Sequence, residues 1–546
     1  MPPDPLWTID CTLKAKGFTY AGPPATYRGP VAVHGKTVTV EVNFSDLTFA
    51  TLPTVRSIDA AALGDRSLAH LMRNRDICYT DEGGLVLDLY DPGGAALRVL
   101  ADAAKALERS FGPNALREFE GELAAYWGGK SLYCAISPPP TPEIVAADLL
   151  SFKDKKPASL ILAPRGAWPL SDVTRTAATM LTFDRALRCG SSFPPSRLQD
   201  LLAYIDAQEL PPPGWRQAIL DGIARGEDMF LAAPNGILGW RSAFGGTLAL
   251  LKNHPRGFRV GALRKALPDR MGEVTIDNMM ATQADLKYCV ARNLDGRQGL
   301  VGKHIALVGC GTIGGYLAHM LVQNGAGCEA QLSLYDPDIL KPGNLGRHVL
   351  GFDDLGRAKA EALHTFVQRF HPDVEVDHHT GNALTEWNAL ERCDLIVDAT
   401  GDANVATALN DRFILARRGG RQICLLHSWV FGNGAAAQSL LNLDDGHTCY
   451  RCLRTGFGGN WRHNPLRDPD MEVRRAPARC GEGGYTPFPV DAPIAAAALA
   501  VRAAIDWAGG NPGHRLRTTI VDPGEGRDRL PWVSPKSLDD CPACRS

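Results

Sequence analysis

The order of apolar and polar positions divides the 546-residue chain into three zones. Up to about residue 110, alternating segments such as PVAVHGKTVTVEVNF predict strands, and an alanine-rich segment after them predicts a helix. From residue 111 to 285, short apolar segments such as ASLILAP stand among prolines. From residue 286 onward, apolar strands alternate with amphipathic helices, which is typical of a doubly wound, mostly parallel α/β sheet.

This pattern predicts three domains: an α+β domain over 1–110, a linking or docking domain over 111–285, and an α/β domain over 286–546. The length agrees, because single cores stop growing near ~250–300 residues. The middle zone carries no motif of its own. We predict that this zone is either a linker domain or an inactive copy of the domain that follows it.

Composition excludes several classes of partner. The chain has 58 Lys and Arg against 60 Asp and Glu, so its charge of -2 gives no general attraction to nucleic acid or to anionic membrane. No apolar run approaches the ~18–20 residues that span a bilayer, and the segment MPPDPLWTIDCTLKAKG lacks a signal sequence. We therefore expect a cytoplasmic protein. In a reducing compartment, its 14 cysteines are core residues, metal ligands or nucleophiles rather than disulfides.

The segment VGCGTIGG carries three glycines, Gly309, Gly311 and Gly314, in the G-x-G-x-x-G spacing between a predicted strand and a predicted helix. Backbone amides at such a turn bind phosphate oxygens. Asp336 closes the next strand, where a carboxylate can bind a ribose hydroxyl. Up to this point a nicotinamide dehydrogenase and an ATP-binding enzyme fit equally well.

The polar residues that follow favour ATP. The segments YDPDILKPGNLGRH, GRAKAEA and VDATGDANVATALN resemble those of the ThiF/MoeB adenylyltransferases and ubiquitin-activating enzymes, with His348 where that family usually has glutamine. The resemblance implies that an asparagine, an arginine and a lysine line the triphosphate and that a late aspartate holds Mg²⁺. The matching residues are Asp336, Asp338, Asn344, Arg347, Lys359 and Asp402. For Asp398, a metal role and a turn-capping role are equally compatible with the pattern.

The resemblance also implies a homodimer, because relatives place an arginine of the partner subunit on the γ-phosphate. Arg292, in the segment ARN, is the first choice for this arginine, and Arg297 is the alternative. An exposed arginine at the end of a helix is the structural alternative for both residues.

Two C-x-x-C pairs, Cys449 with Cys452 and Cys541 with Cys544, have the spacing of a tetrahedral thiolate site for zinc. Four thiolates leave no open coordination position, so this zinc would be structural. Between the pairs, Cys480 lies in the polar, glycine-rich segment APARCGEGGYTPF. The resemblance assigns a cysteine of this segment to thioester formation, whereas a third structural cysteine is the simpler alternative.

The first zone resembles ubiquitin-conjugating enzymes. His70 and Cys78 keep the spacing between the histidine of the H-P-N motif and the active cysteine, but Leu71 and Met72 replace the proline and asparagine. That asparagine is the amide assigned to the oxyanion, and losing such a donor can cost ~2.7–4 kcal/mol. Either another donor serves Cys78, or the domain only docks a separate conjugating enzyme.

The resemblance at both ends of the chain implies a fused enzyme of the kind found in bacterial antiphage defence operons. It would use ATP and Mg²⁺ to activate the C-terminal carboxylate of a ubiquitin-like protein or of a nucleotidyltransferase, and pass it from Cys480 to Cys78. The alternatives are a sulfur-carrier-protein adenylyltransferase, an activating enzyme with a docking first domain, a nicotinamide oxidoreductase and a non-catalytic scaffold.

Overall fold

The computed structural model of the protein describes residues 4–59, 68–72, 74–80, 84–152, 159–168, 173–190, 193–254, 259–456, 459–476 and 485–545. The chain divides into two compact units, Met1–Ala284 and Asp285–Ser546. The bounds of the three predicted domains remain predictions.

The first unit begins with an α+β arrangement. An antiparallel sheet pairs its strands in chain order, and strand Thr26–Val33 buries every second residue, as its alternating sequence predicts. Helix Pro92–Arg109 starts at Asp91, whose carboxylate accepts the Gly94 N–H. This confirms the α+β prediction. The elements are α1 Pro5–Ala15, β1 Thr19–Gly22, β2 Thr26–Val33, β3 Lys36–Asn43, β4 Thr54–Ser57 and α2 Pro92–Arg109.

The rest of the first unit is built around a closed barrel of seven strands in the order β10-β11-β5-β7-β6-β8-β9. The barrel contains both parallel and antiparallel pairs, and helices pack against it. The elements are α3 Ala115–Gly121, α4 Leu123–Trp127, β5 Lys130–Cys134, β6 Ile144–Phe152, β7 Leu160–Pro164, β8 Val173–Thr182, α5 Leu198–Asp206, α6 Trp215–Arg225, β9 Asp228–Ala233, β10 Gly236–Phe244, α7 Gly246–Lys252, α8 Val260–Ala266 and β11 Val274–Gln283.

The second unit is a seven-stranded sheet in the order β14-β13-β12-β15-β16-β17-β18. Its first five strands are parallel, which confirms the predicted doubly wound sheet. The elements are α9 Leu286–Ala291, β12 Ile305–Val308, α10 Thr312–Gln323, β13 Leu332–Tyr335, α11 Lys359–Gln368, β14 Val376–His379, α12 Trp387–Leu390, β15 Leu395–Asp398, α13 Ala403–Arg418, β16 Cys424–Phe431, β17 Ala436–Asn442, α14 Asp491–Ala508, β18 Leu516–Ile520 and α15 Pro542–Arg545.

Strands β12 and β15 are buried throughout and lie side by side, with the strand order running outward from each. The carboxyl ends of two such strands form a crevice where open α/β sheets bind ligands. At one outer edge, β14 has the sequence VDHH. At the other, the Trp532 indole N–H donates to the Thr518 carbonyl, and Val533 bridges Leu516. Within the part of the chain described, no helix has the length and apolarity required to cross a membrane.

Candidate active site

The glycine-rich turn between β12 and α10 lines a cleft of about 870 Å³. Gly309 has a φ of 91°, and a Cβ there would lie 2.8 Å from the Thr400 nitrogen. A Cβ on Gly314 would lie 1.8 Å from the Gly309 carbonyl oxygen. Gly311, by contrast, faces open space and starts helix α10, where no described side chain caps the first N–H groups. The turn therefore packs tightly beneath the cleft and leaves a helix N-terminus open to an anion.

Asp336, at the end of β13, is buried beside this turn. One carboxylate oxygen accepts the Cys310 N–H at 2.8 Å, and the other accepts the Asp338 N–H at 2.8 Å. Burial raises the pKa of this carboxyl, while the two backbone donors and Lys359 oppose that effect. Asp336 thus fixes the glycine turn and the segment after β13 to each other. Its predicted contact with ribose remains a prediction.

The residues predicted to line a triphosphate also reach the cleft. Asn344 lies in a 3₁₀ turn, where its side-chain oxygen accepts the Lys341 N–H at 3.0 Å. The Lys359 ammonium lies 2.9 Å from a carboxylate oxygen of Asp338. The cleft thereby brings together Asp336, Asp338, Asn344, Arg347, Lys359 and Asp402 with the glycine turn.

Arg347 has the least compensated charge of this group. Its Nη1 donates to the Thr486 carbonyl at 3.1 Å, and its guanidinium lies 4.7 Å from the Phe488 ring. Its Nε is buried without a hydrogen-bond partner among the described residues, and burial lowers the pKa of the guanidinium. A half-buried cation with an unused donor, in the same cleft as an open helix N-terminus, fits a polyanion such as the triphosphate of ATP.

The two aspartates at the carboxyl end of β15 have different surroundings. Asp398 is buried, and its carboxylate accepts the Thr400 N–H, the Thr400 hydroxyl and the His427 ring nitrogen. Its contacts match the turn-capping alternative. Asp402 is exposed in the cleft and caps helix α13, with one oxygen accepting the Asn404 and Val405 N–H groups. A carboxylate is the ligand type that Mg²⁺ prefers, so Asp402 beside the glycine turn fits this ion.

Arg292 is exposed at the end of helix α9 and does not belong to the described lining of the cleft. Its predicted action from a partner subunit stays a prediction. Two arginines that the sequence reading passed over, Arg454 and Arg475, do line the cleft. Arg454 follows the first C-x-x-C pair, and Arg475 shortly precedes Cys480. Their closeness in sequence to these motifs is the signal that could have identified the two arginines as site residues.

The four predicted zinc ligands come together. Sulfur atoms of Cys449, Cys452, Cys541 and Cys544 lie within 4.8 Å of one another, and three of these separations are 3.6–3.8 Å. Tetrahedral zinc with Zn–S bonds of ~2.3 Å places its sulfurs ~3.8 Å apart. Hydrogen bonds from Cys449 and Cys544 lower the pKa of the Cys452 thiol. The cluster therefore fits zinc in a closed, structural site.

Cys480 lies outside the described residues. The residues on both sides of its segment are described, and they approach each other, since Ala476 and Tyr485 form an antiparallel bridge. Arg475 and Thr486 both line the cleft. The described residues that flank the segment of the predicted nucleophile therefore lie at this cleft.

Cys78 is exposed in the first unit, and its N–H donates to the His70 carbonyl at 2.8 Å. The His70 ring is buried, with Nε2 2.8 Å from a carboxylate oxygen of Glu118. The His70 N–H donates to the Tyr126 hydroxyl at 2.7 Å. Burial and the neighbouring Glu122 carboxylate raise the pKa of Tyr126, so the hydroxyl that accepts the His70 N–H is neutral. Tyr126 is a residue that the sequence reading missed.

Comparisons with known proteins find a family match for the second unit and another for the N-terminal part of the first unit. The model of the ThiF family matches residues 286–522, and the model of the Prokaryotic E2 family B matches residues 6–132. The chain therefore carries an adenylyltransferase domain of the ThiF, ubiquitin-activating type and a ubiquitin-conjugating-like domain. These matches indicate that the protein takes part in ATP-dependent adenylyl transfer in ubiquitin-like conjugation.

Individual relatives extend the likeness over the whole chain. The chain is 29% identical to the ATP-dependent ubiquitin transferase-like protein Cap2 of Pseudomonas aeruginosa over 98% of both chains. It is 34% identical to Cap2 of Escherichia coli over 38% of this chain and 35% of that protein. Among solved structures, E. coli MccB with ATP matches 44% of this chain and 66% of its own, with 17% identity and a TM-score of 0.34.

Proposed function

We propose that the second unit binds Mg-ATP and the C-terminal carboxylate of a partner protein, and joins the two as an acyl adenylate. A carboxylate oxygen attacks the α-phosphorus, the bond to the β-phosphate oxygen breaks, and pyrophosphate leaves. Two anions must meet in this step, so cations have to offset their repulsion. The cleft meets this need with Arg347, Lys359, Arg454 and Arg475.

Asp402 would hold Mg²⁺, which offsets charge on the phosphates when bound. The open N-terminus of helix α10 would receive phosphate oxygens, and Asp336 would hold the ribose. The single observation that carries the proposal is the buried, unpaired Nε of Arg347 in the same cleft as this helix N-terminus.

The Cys480 thiolate then attacks the acyl carbon, forms a thioester and expels AMP with the bonding electron pair. The bridge between Ala476 and Tyr485 supports this step, because Arg475 and Thr486, the described residues next to it, line the cleft. Cys78 takes the acyl group from Cys480 by thioester exchange. A lysine amine finally displaces Cys78, and the amine loses a proton as the isopeptide bond forms.

The partner protein is a ubiquitin-like protein or another protein with an activated C-terminus, and a separate conjugating enzyme is an additional candidate. The enzyme works as a cytoplasmic homodimer in antiphage defence, with Arg292 reaching the partner's nucleotide and a structural zinc in each chain. Two observations support a bacterial conjugation role: the match to a prokaryotic E2 family and the similarity to Cap2, an ATP-dependent ubiquitin transferase-like protein.

The test combines the protein with ATP, Mg²⁺ and the small proteins encoded beside its gene, and detects thioesters by non-reducing gel and intact mass. We expect Cys480→Ala to abolish every adduct and Cys78→Ala to leave the adduct on Cys480. Cys11→Ala is the matched control, because Cys11 is also an exposed cysteine of the first unit.

Three results would change the assignment. If Cys78→Ala behaves like wild type, the first domain only docks a separate conjugating enzyme. A thiocarboxylate on the partner would show sulfur-carrier activation instead. If no neighbouring protein forms an adduct and none supports exchange between ATP and pyrophosphate, the proposed activation is wrong.

A further inference from the structure

A buried hydrogen-bonded pair, Asp398 with His427, lies outside the described lining of the cleft. The Nδ1 atom of His427 lies 2.8 Å from a carboxylate oxygen of Asp398, and their side chains are 1% and 4% exposed. Asp398 ends β15, and His427 lies opposite it on the neighbouring parallel strand β16. The pair is thus fixed by the strand register of the sheet.

The pair connects to the cleft through Thr400. The second oxygen of Asp398 accepts the Thr400 N–H at 3.0 Å and the Thr400 hydroxyl at 2.7 Å. That hydroxyl oxygen in turn accepts the Asp402 N–H at 3.2 Å. A continuous chain of hydrogen bonds therefore runs from His427 to the backbone of Asp402.

The surroundings of His427 fix the direction of this series of hydrogen bonds. The Tyr450 ring lies 4.7 Å from the His427 ring, and the Nε2 atom of His427 is buried with no hydrogen-bond partner among the described residues. Only Nδ1 therefore engages the aspartate. Burying a carboxylate is expensive unless hydrogen bonds compensate it, so the three donors around Asp398 are needed to keep it in place.

We propose that Asp398 and His427 form a positioning pair that sets the orientation of Asp402 in the cleft. The pair acts by fixing the Thr400 hydroxyl, which holds the Asp402 backbone before nucleotide arrives. The inference deepens the proposed function, because it rests on Asp402 as the Mg²⁺ ligand. Groups that orient a metal ligand typically change metal affinity or activity by about 10–100-fold when they are lost.

Three variants of strand β16 separate positioning from general stability. His427→Leu removes the Nδ1 donor and keeps an apolar side chain of similar size, whereas His427→Asn keeps an N–H donor one bond beyond Cγ, as in histidine. Ser428→Ala is the matched control. Ser428 is buried on the same strand, and its hydroxyl donates to the Ala496 carbonyl at 3.1 Å, away from the Asp398 network.

The first readout needs no activity: hydrogen–deuterium exchange of the backbone amides of residues 399–405 without nucleotide. The second is the ratio of ATP dissociation constants without and with Mg²⁺. We expect His427→Leu to speed exchange of the Thr400 and Asp402 amides and to lower the Mg²⁺ effect about tenfold or more. His427→Asn and Ser428→Ala should keep both properties, with a lower melting temperature as the only change.

The proposal is overturned if His427→Leu keeps the wild-type exchange and Mg²⁺ effect, or if Ser428→Ala changes both in the same way. If His427→Leu does not fold, Thr400→Val breaks the chain of hydrogen bonds at its middle, and Thr400→Ser restores the hydroxyl. A wild-type protein whose ATP affinity ignores Mg²⁺ would refute the magnesium role of Asp402, and amide exchange alone would then decide on the pair.

Discussion

At the scale of single residues, His348 shows how one substitution within a family pattern can be accommodated. Its Nε2 donates to the Cys310 carbonyl in the glycine turn at 2.9 Å, and its Nδ1 accepts the Leu350 N–H at 3.1 Å. Both contacts require a neutral ring with the proton on Nε2. A glutamine amide also offers one donor and one acceptor, which explains why histidine can stand in that position.

This environment predicts an effect of pH on stability. Burial lowers the pKa of His348, so in the folded state the ring binds a proton only below the value near 6.5 of an unfolded histidine. As the pH falls through about 6.5, the unfolded state takes up the proton first, and the stability that the neutral ring contributes is progressively lost.

We expect His348→Gln to lose less stability than wild type when the pH is lowered from about 7.5 to about 5.5. Urea unfolding midpoints at the two pH values measure this difference. Burial also lowers the pKa of His319, so the variant should reduce the acid sensitivity without removing it. Equal losses in the two proteins would contradict the neutral, buried ring.

At the scale of elements, the connections after β12 and β15 build the site. The sequence predicted these strands, their doubly wound sheet and the glycine turn, because apolar runs and glycine spacing are local signals. It could not predict that His427 meets Asp398, since this contact depends on the register of two parallel strands. Nor could it place Arg454 and Arg475 in the cleft, because the segments after the sheet reach it through tertiary packing.

Substitution by alanine should affect the stability of the protein at one glycine of this turn but not at another. A Cβ on Gly314 would lie 1.8 Å from the Gly309 carbonyl oxygen, so Gly314→Ala must displace backbone and cost about 1–3 kcal/mol or more of unfolding free energy. A Cβ on Gly311 meets no heavy atom within 4 Å, so Gly311→Ala should unfold like wild type.

The two variants are compared by denaturant unfolding and by binding of ATP. For Gly311→Ala we expect normal stability with weakened ATP binding, because the new methyl group occupies space next to the open helix N-terminus. Wild-type stability in Gly314→Ala would show that the turn can relax and that its tight packing is not required.

At the scale of the whole molecule, the cysteine cluster ties distant parts of the second unit together. Cys449 and Cys452 follow strand β17, whereas Cys541 and Cys544 lie beyond β18 and around helix α15. The Arg418 guanidinium also donates to the Ala543 carbonyl at 2.7 Å. Local spacing predicted these four ligands. It did not predict the seven-stranded barrel of the first unit, because closure depends on pairing between strands far apart in sequence.

Zinc removal should therefore loosen the second unit more than the first. We expect one zinc per chain by elemental analysis, and a lower melting temperature after chelation or in Cys541→Ser, because metal binding is coupled to folding. Cys393→Ser is the control, since Cys393 lies outside the cluster. Hydrogen–deuterium exchange should rise around residues 449–452. A zinc-free protein with unchanged melting would contradict a structural metal.

The two outer strands of the second unit's sheet bear on its behaviour at high concentration. A bare strand edge offers unpaired backbone groups to any other sheet, which is a route to aggregation. Strand β14 presents Asp377, His378 and His379, whose charged and polar side chains oppose such pairing. On the far side, Trp532 and Val533 already occupy backbone groups of β18. We therefore expect the second unit to resist edge-to-edge aggregation at high protein concentration, because the described edge strands are either polar or already contacted.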